Sequence, residues 1–339
     1  MRDLHTIQGK TIGVVYTYEG EDAPGFSHYH FWESDIISKW LMAIQQLHCR
    51  PFILDVRTFV EKAIAETLPH LDYVLNLNCG GCELSPMALI PSICSFFKIP
   101  CIPCDSVAIL SGENKRLSNL SAFATGLNVP KSLPRDNPDG LFRPLNLGSS
   151  IGIKKGPLTG DEPDGLYQEF IKGYDITTPI VYNPYSGQMD FMPTVIYIPE
   201  EESVDWYLGE TYKDTRSGFK RGTIFSLEKN LEKKYLELLQ NLSINTFCRI
   251  DARIKCQSRD ELKSILNKPL SLENVYFVEL NPMPTVWINN AFSHSFSMIS
   301  EDHTIYPYIK ALESITDECN VHNFLLSLSM LAFYNHVQK

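Results

Sequence analysis

The first third of the chain alternates strands with helices, and this alternation constrains the fold more than any other feature. An apolar strand at 11–17 precedes a helix at about 32–47, whose apolar residues recur at a helical period. The strand-then-helix order returns twice more before Gly112. Strands that alternate with helices form a parallel sheet with helices on its faces. We therefore predict an N-terminal α/β domain over residues 1–112.

The rest of the chain changes to an α+β pattern. A helix begins at Lys115, and the short strands after it enclose a turn of small residues. From about Thr178 the strands are longer, and a polar stretch between Glu200 and Thr223 shows no apolar periodicity. Long stretches of that kind are usually functional or disordered. We predict a central domain at 113–177 and a C-terminal domain at 178–339.

Composition excludes several classes of protein. The 339 residues are 44% apolar and 21% charged, which is ordinary for a globular protein. No apolar run approaches the roughly 20 residues that cross a bilayer. The net charge of −10 argues against a nucleic-acid partner. Met1-Arg2-Asp3-Leu4-His5 lacks the apolar run of an export signal. We expect a cytoplasmic protein with no nucleic-acid or membrane partner.

Nine cysteines are present, and most of them lie in one short region. Cys79-x-x-Cys82 and Cys101-x-x-Cys104 have the spacing of a zinc site, and such pairs also occur in redox proteins. Cysteine also serves as a small buried apolar residue, and Cys101 follows an apolar strand pattern. We favour buried free thiols and keep zinc as the alternative.

A turn of small residues, Gly148-Ser149-Ser150-Ile151-Gly152, lies between two strands. Backbone N–H groups in such a turn can converge on an anion. Arg143 on the preceding strand and Lys115 at a helix start support an anion site. A tight hairpin without a ligand is the alternative interpretation.

Two strands carry acidic and amide side chains on one face. Glu279 and Asn281 point the same way because side chains alternate along a strand, and Asp251 lies on a strand with the same alternation. If the strands are neighbours, these three residues form a set of hard oxygen ligands. A few such ligands suit Mg²⁺ that also binds phosphates. Two strands with solvated polar faces are the alternative.

Seven motifs, in the right order, resemble the ATP-grasp superfamily and most closely the D-alanine–D-alanine ligases. The resemblance covers nearly the whole chain. It implies an α/β and α+β ATP-grasp fold, in which an N-terminal parallel-sheet domain precedes central and C-terminal α+β domains that clamp ATP. The motifs are Asn76–Gly81, Ile99–Pro103, Asn114-Lys115, Gly126–Pro130, Phe142–Ile153, Glu169–Thr177, and Arg249-x-Asp251 with Glu279-x-Asn281.

The resemblance also implies roles for individual residues, with ATP and Mg²⁺ as cofactors. Residues that resemble the family's nucleotide-binding positions are Lys115, Arg143, Ser149, Ser150, Gly152, Glu169, Phe170, Ile171 and Asp175. Mg²⁺ would be held by Asp251, Glu279 and Asn281. Arg249 would face the developing oxyanion, Ser150 belongs to the loop that closes over the phosphates, and Lys213 belongs to a mobile loop over the site.

The implied reaction has two steps. A substrate carboxylate attacks the γ-phosphate of ATP, and an amine then displaces phosphate from the acyl phosphate. The substrate side departs from the family, because Trp287, Asn289 and Asn290 stand where the ligases have a Ser-Leu pair. We predict substrate roles for Asn289, Asn290 and Glu33, although Glu33 also suits a helix N-terminus.

We therefore expect a ligase that joins small amino-acid-like molecules, with substrates other than D-alanine. A homodimer is compatible with this expectation. The alternative is a nucleotide-binding pseudoenzyme with a regulatory or partner role. The intact set of Asp251, Glu279 and Asn281 favours the enzyme.

Overall fold

The structure is a computed structural model that describes most of the chain. The described ranges are 4–17, 34–79, 87–148, 150–160, 162–201, 203–210, 212, 217–287 and 290–337. The sequence-predicted site residues Glu33, Ser149, Lys213 and Asn289 lie outside these ranges.

The N-terminal region is a parallel four-stranded sheet in the order β2-β1-β3-β4. Helix α1 lies against it through Ile36, Trp40, Ala43 and Ile44, which share one face and are buried. The alternation in the sequence correctly predicted this sheet. Its elements are β1 (Thr11–Tyr16), α1 (Ser34–Gln46), β2 (Arg50–Asp55), α2 (Val56–Ile64), β3 (Tyr73–Leu77), α3 (Leu89–Phe96), β4 (Cys101–Ile102) and α4 (Ser106–Glu113).

A small antiparallel sheet follows, in the order β6-β5-β7. Asn114 begins the helix before it, because its side chain accepts hydrogen bonds from the backbone N–H groups of Arg116 and Leu117. This cap fixes Lys115 as the first residue of that helix. The elements are α5 (Lys115–Ala124), β5 (Gly140–Pro144), β6 (Lys154–Lys155) and β7 (Gly165–Glu169).

The third sheet is antiparallel, in the order β11-β10-β8-β12-β13, with β9 paired to β8. The predicted domain boundary at 177/178 falls within β8. The elements up to the last strand are β8 (Gly173–Asn183), β9 (Gln188–Phe191), β10 (Thr194–Pro199), β11 (Phe219–Ile224), α6 (Lys229–Asn241), β12 (Phe247–Lys255), α7 (Arg259–Leu266) and β13 (Val275–Asn281).

The chain then returns to the N-terminal sheet in three helices. Their bounds are α8 (Ala291–Ser297), α9 (Tyr306–Glu313) and α10 (Val321–Val337). Phe324 and Leu328 of α10 are fully buried in one apolar cluster with Trp40 of α1 and Tyr182 of β8. This shared core joins the N-terminal sheet to the C-terminal end of the molecule. Among the described residues, no helix has the length and apolar character to cross a membrane.

Gly173, at the start of β8, occupies a position that excludes a side chain. Its φ is 136°, and a Cβ would lie 1.8 Å from the carbonyl oxygen of Ile254 on β12. Only glycine combines this φ with so close an approach of two backbones. The tight pairing of β8 with β12 places Asp175 directly opposite Arg253.

Candidate active site

A cleft of about 390 Å³ is lined by the small sheet and by one face of the large antiparallel sheet. It brings together most of the described residues that the sequence assigned to a site. Those on its lining are Lys115, Arg143, Ser150, Glu169, Phe170, Ile171, Asp175, Arg249, Asp251, Glu279 and Asn290. Gly152 and Asn281 are not on this lining.

The oxygen-bearing side chains come together because β12 and β13 are neighbours. Asp251 lies opposite Glu279, and Arg249 lies opposite Asn281. Asn281 Nδ2 donates to Asp251 Oδ2 at 2.7 Å, and Thr177 Oγ1 donates to Asp251 Oδ1 at 2.7 Å. A bulge follows Asp251 in the ladder. The two strands therefore present two carboxylates and an amide at one place, as the alternation predicted.

This donor set fits a magnesium ion that is shared with phosphates. Mg²⁺ prefers oxygen ligands and commonly uses one or two carboxylates, with phosphate and water completing its shell. In the described chain, no three His, Cys, Asp or Glu side chains form a metal-binding group. Asp251 and Glu279 supply only two such carboxylates, and the third donor, Asn281, is an amide. The set is therefore too small for a structural metal cage, and Mg²⁺ remains a prediction.

Two buried cations lie beside these carboxylates. Lys115 Nζ lies 3.3 Å from Glu279 Oε2 and donates to the carbonyl of Leu147 at 2.7 Å. Arg143 donates to the carbonyl of Val278 at 2.9 Å and to Gln168 Oε1 at 2.7 Å. Burial lowers the pKa of Arg143, and the charge of Glu279 opposes that shift. These bonds fix both positive groups against the β13 side of the cleft.

Arg249 completes the charged cluster on β12. Its Nε lies 3.3 Å from Asp251 Oδ2. Burial alone would lower the pKa of Arg249, but Asp251, Tyr197 and Glu279 raise it above its usual range. Arg249 is therefore held as a cation beside Asp251, and its role towards an oxyanion stays a prediction.

The turn of small residues is a hairpin connection between β5 and β6, and it also lines the cleft. Ser150 and Gly152 adopt left-handed backbone conformations, with φ values of 65° and 70°. Ser150 Oγ donates to the carbonyl of Leu208 at 2.8 Å. The hydroxyl thereby ties the turn to the described part of the polar stretch, which lies over one end of the cleft.

The predicted adenine segment, Glu169 to Ile171, is held by backbone bonds. The N–H groups of Glu169 and Phe170 donate to the carbonyls of Lys131 and Asp139 at 2.8 and 2.9 Å. The carbonyl of Ile171 accepts from Arg253 Nε at 2.7 Å. Phe170 lies between two cations, with Lys155 Nζ 4.0 Å and the Arg253 guanidinium 4.9 Å from its ring. These bonds hold the segment in place as one wall of the cleft.

Asp175, the predicted ribose ligand, uses both of its carboxylate oxygens within the protein. Oδ1 accepts from Arg253 Nη1 at 2.7 Å, and Oδ2 accepts from the Leu208 N–H at 2.7 Å. Asp175 still lines the cleft. Its contacts position β8 and the Leu208 segment, and its role towards a ribose stays a prediction.

Three residues of the cleft region were missed in the sequence, namely Glu113, Gln168 and Arg221. Glu113 ends α4, and loss of hydration together with the charge of Glu279 raises its pKa to about 7. Gln168 binds Arg143 and also donates to the carbonyl of Pro130 at 2.8 Å. Glu113 directly precedes the Asn114-Lys115 motif, and this position is the one sequence feature that could have identified it as a residue of the site.

At the predicted substrate end, Asn290 lines the cleft but also caps α8. Its Oδ1 accepts from the Ser293 N–H at 3.2 Å, and its Nδ2 donates to the carbonyl of Thr285. Ser293 Oγ donates to the carbonyl of Trp287 at 2.5 Å, and Ser295 Oγ donates to that of Pro193 at 2.6 Å. Both serine hydroxyls therefore serve the local fold.

All described cysteines are free thiols, and all but Cys79 and Cys319 are buried. Cys94, Cys101 and Cys104 are buried and free, and Cys82 lies outside the described residues. A hydrogen bond with Cys94, together with burial, raises the pKa of Cys101, and burial raises that of Cys104. Thiols with raised pKa values are poor metal ligands and poor nucleophiles at neutral pH.

Comparison with known proteins finds relatives in structure rather than in sequence. No protein-family model matches the chain. No curated protein matches it by sequence.

Three of the solved structures that match this chain cover nearly all of it. A D-alanine–D-alanine ligase from Bacillus anthracis complexed with ATP has a TM-score of 0.64 and 13% identity, covering 98% of this chain and 99% of its own. The VanG D-Ala:D-Ser ligase from Enterococcus faecalis has a TM-score of 0.57 and 13% identity, covering 96% and 100%. D-alanyl-alanine synthetase A from Vibrio cholerae has a TM-score of 0.57 and 14% identity, covering 92% and 99%. The chain therefore has the ATP-grasp fold of the D-alanine–D-alanine ligases from end to end, as its motifs predicted.

Proposed function

We propose that the protein is an ATP-dependent ligase that joins the carboxylate of one amino-acid-like substrate to the amine of another. The observation that carries this proposal is the cleft itself. Lys115 pairs with Glu279, Arg143 binds the neighbouring carbonyl of Val278, and Asp251 with Arg249 lies opposite on β12. A solved structure of the same fold contains ATP.

The chemistry needs positioned charge rather than a protein nucleophile. Transfer of the γ-phosphate to a carboxylate, and then attack by an amine, both concentrate negative charge on oxygen. Lys115 and Arg143 would hold the phosphates, and Arg249 would stabilise the oxyanion that forms at the acyl carbon. Asp251, Glu279 and Asn281 would hold Mg²⁺, which neutralises phosphate charge when bound.

Water must be kept away from the acyl phosphate, because hydrolysis would waste it. The described part of the polar stretch supplies a cover. Ser150 and Asp175 bind the two backbone groups of Leu208, which fixes this segment over the cleft. Opening of the segment would admit substrates, and its closure would exclude water.

A screen of amino-acid pairs tests the proposal. We expect ATP-dependent phosphate release with at least one pair, and a condensed product by mass spectrometry. We expect D-alanine alone to give little D-alanyl-D-alanine, since Ser293 and Ser295 use their hydroxyls within the fold. Neither hydroxyl then replaces the Ser-Leu pair with which the ligases hold D-alanine, so an acceptor of different size and shape is favoured.

Two results of the screen would contradict these statements separately. Robust dipeptide formation at millimolar D-alanine would show that the protein is a ligase but that the prediction of substrates other than D-alanine is wrong. Nucleotide binding without phosphate release across the whole panel would favour a pseudoenzyme.

Removal of either phosphate-binding cation should weaken nucleotide binding. We expect Lys115→Ala and Arg143→Ala each to raise the Kd for ATP about tenfold to a hundredfold, since a charge-assisted hydrogen bond contributes roughly 1.5–3 kcal/mol. Isothermal titration calorimetry with ATP and Mg²⁺ measures this.

Exposed residues provide the controls for that measurement. Lys131→Ala and Arg135→Ala remove the same side-chain types outside the cleft lining and should leave the Kd unchanged. Unchanged ATP affinity in both Lys115→Ala and Arg143→Ala would refute the assignment of these residues to the phosphates.

A further inference from the structure

The cations around the cleft differ in what already binds them. Three of them form ion pairs with carboxylates, namely Lys115 with Glu279, Arg249 with Asp251 and Arg253 with Asp175. Arg143 is held by a carbonyl and an amide. Arg221 also lines the cleft, and among the described residues its Nε has no hydrogen-bond acceptor and its guanidinium forms no ion pair.

Arg221 is half-buried beside two aromatic rings. It stands on β11 opposite Tyr197 of β10. Its guanidinium carbon lies 5.0 Å from the centre of the Phe219 ring and 5.9 Å from that of Tyr197. Its Nε is buried and has no acceptor among the described residues. A buried donor without an acceptor is rare in folded proteins, and a ligand is one explanation for it.

The position of Arg221 separates it from the phosphate site. Neighbouring strands lie about 4.8 Å apart, so β10 and β8 place β11 about 14 Å from β12. Tyr197 stands on β10, opposite Arg221 and between β11 and the strands β8 and β12. Lys115 and Arg143 contact β13, at the opposite edge of this sheet from β11, so Arg221 lies on the other side of the cleft from the cations assigned to the phosphates.

Arg221 lies near the predicted substrate end, because its ring neighbours Tyr197 and Phe219 pack in one cluster with Ala291, the residue after Asn290. Thr285, Asn290 and Ala291 line the same cleft. His294 of α8 is bonded to Thr223 at 3.1 Å, and burial together with the charge of Arg221 lowers its pKa. That imidazole is therefore neutral at pH 7, and it does not add a second positive charge.

We propose that Arg221 binds a carboxylate of the second substrate, the one that supplies the amine. This inference rests on the proposed ligase function. A guanidinium offers a planar fork of donors that matches a carboxylate in two parallel hydrogen bonds. The rings of Phe219 and Tyr197 limit water at the guanidinium, which strengthens the contact. The site then selects amines that carry a carboxylate over their neutral amides.

Binding measurements on the nucleotide-loaded protein test the proposal. The protein is saturated with Mg²⁺ and adenylyl imidodiphosphate, and amino acids and their carboxamides are titrated by calorimetry. We expect at least one amino acid to bind more tightly than its carboxamide. Arg221→Gln should weaken that amino acid about tenfold to a hundredfold, while the affinities for the carboxamide and the nucleotide stay unchanged.

Two further variants act as controls. Arg221→Lys keeps the charge without the fork and should lose less affinity than Arg221→Gln. Lys220→Gln removes the exposed neighbouring cation on β11 and should change nothing. If Arg221→Gln misfolds and loses nucleotide affinity, the test uses Arg221→Lys and the unmodified protein instead. A bidentate contact predicts that Arg221→Lys binds the amino acid more weakly than the unmodified protein does, with no change for the carboxamide.

The outcomes separate this inference from the proposed function. Equal losses for acid and amide, undiminished binding by Arg221→Gln, or no preference for any amino acid over its amide would overturn the role of Arg221. Ligation that persists with any of these results leaves the ligase proposal in place. If the protein binds the amino-acid carboxylate through Arg221 but releases no phosphate with any pair, the ligase proposal is refuted and the role of Arg221 in binding stands.

Discussion

Glu279→Gln is expected to abolish ATP-dependent phosphate release while the protein stays folded. Glu279 lies opposite Asp251 and within 3.3 Å of Lys115, so its charge serves both the oxygen-ligand set and a phosphate-binding cation. The amide keeps the shape of the side chain but removes that charge. Loss of one preorganised electrostatic contact commonly costs about a hundredfold to a thousandfold in kcat. Phosphate release in single-turnover conditions measures the effect.

The matched control is Glu273→Gln, an exposed glutamate just before β13. It should keep full activity. Circular dichroism and thermal unfolding verify that Glu279→Gln is folded. Near-normal ligation by a folded Glu279→Gln protein would refute the assignment of this carboxylate to the metal and phosphate site.

Much of this site could be predicted because the relevant information is local. Side chains alternate along a strand, so the shared face of Glu279 and Asn281 follows from the sequence alone. The same alternation placed Asp251 and Arg249 on one face of β12. Only the neighbouring position of β12 and β13 had to be assumed, and the antiparallel register supports it.

The residues that sequence reasoning missed depend on long-range register. Gln168 contacts Arg143 because β5 pairs with β7, and Arg221 reaches the cleft because β11 pairs with β10. Neither strand pairing can be predicted from the local pattern of apolar and polar residues. For Asp175, the sequence identified the residue but could not identify its partner. The motif identified it as a nucleotide residue, but its partner Arg253 lies 78 positions away in the chain.

Arg253→Met is expected to cause the largest loss of stability among single substitutions in the cleft. The guanidinium is buried, donates to the carbonyls of Ile171, Gly173 and Trp206, and pairs with Asp175 at 2.7 Å. Methionine fills the space but leaves a mostly buried carboxylate and three carbonyls without their donor. Removing one partner of a buried ion pair costs about 3–5 kcal/mol. Urea denaturation should show this decrease in the free energy of unfolding.

Two further variants separate the loss of the buried ion pair from the effect of removing any long cationic side chain. Lys255→Met changes an exposed cation two positions along β12 and should cost less than about 0.5 kcal/mol. Asp175→Asn in the Arg253→Met background removes the uncompensated charge and should recover part of the stability, since the unpaired carboxylate is the larger part of the penalty. An equal loss in the single and double variants would show that the carbonyl contacts dominate. Because the same guanidinium fixes Ile171 and stacks on Phe170, the single variant should also bind ATP more weakly, at a urea concentration where it remains folded.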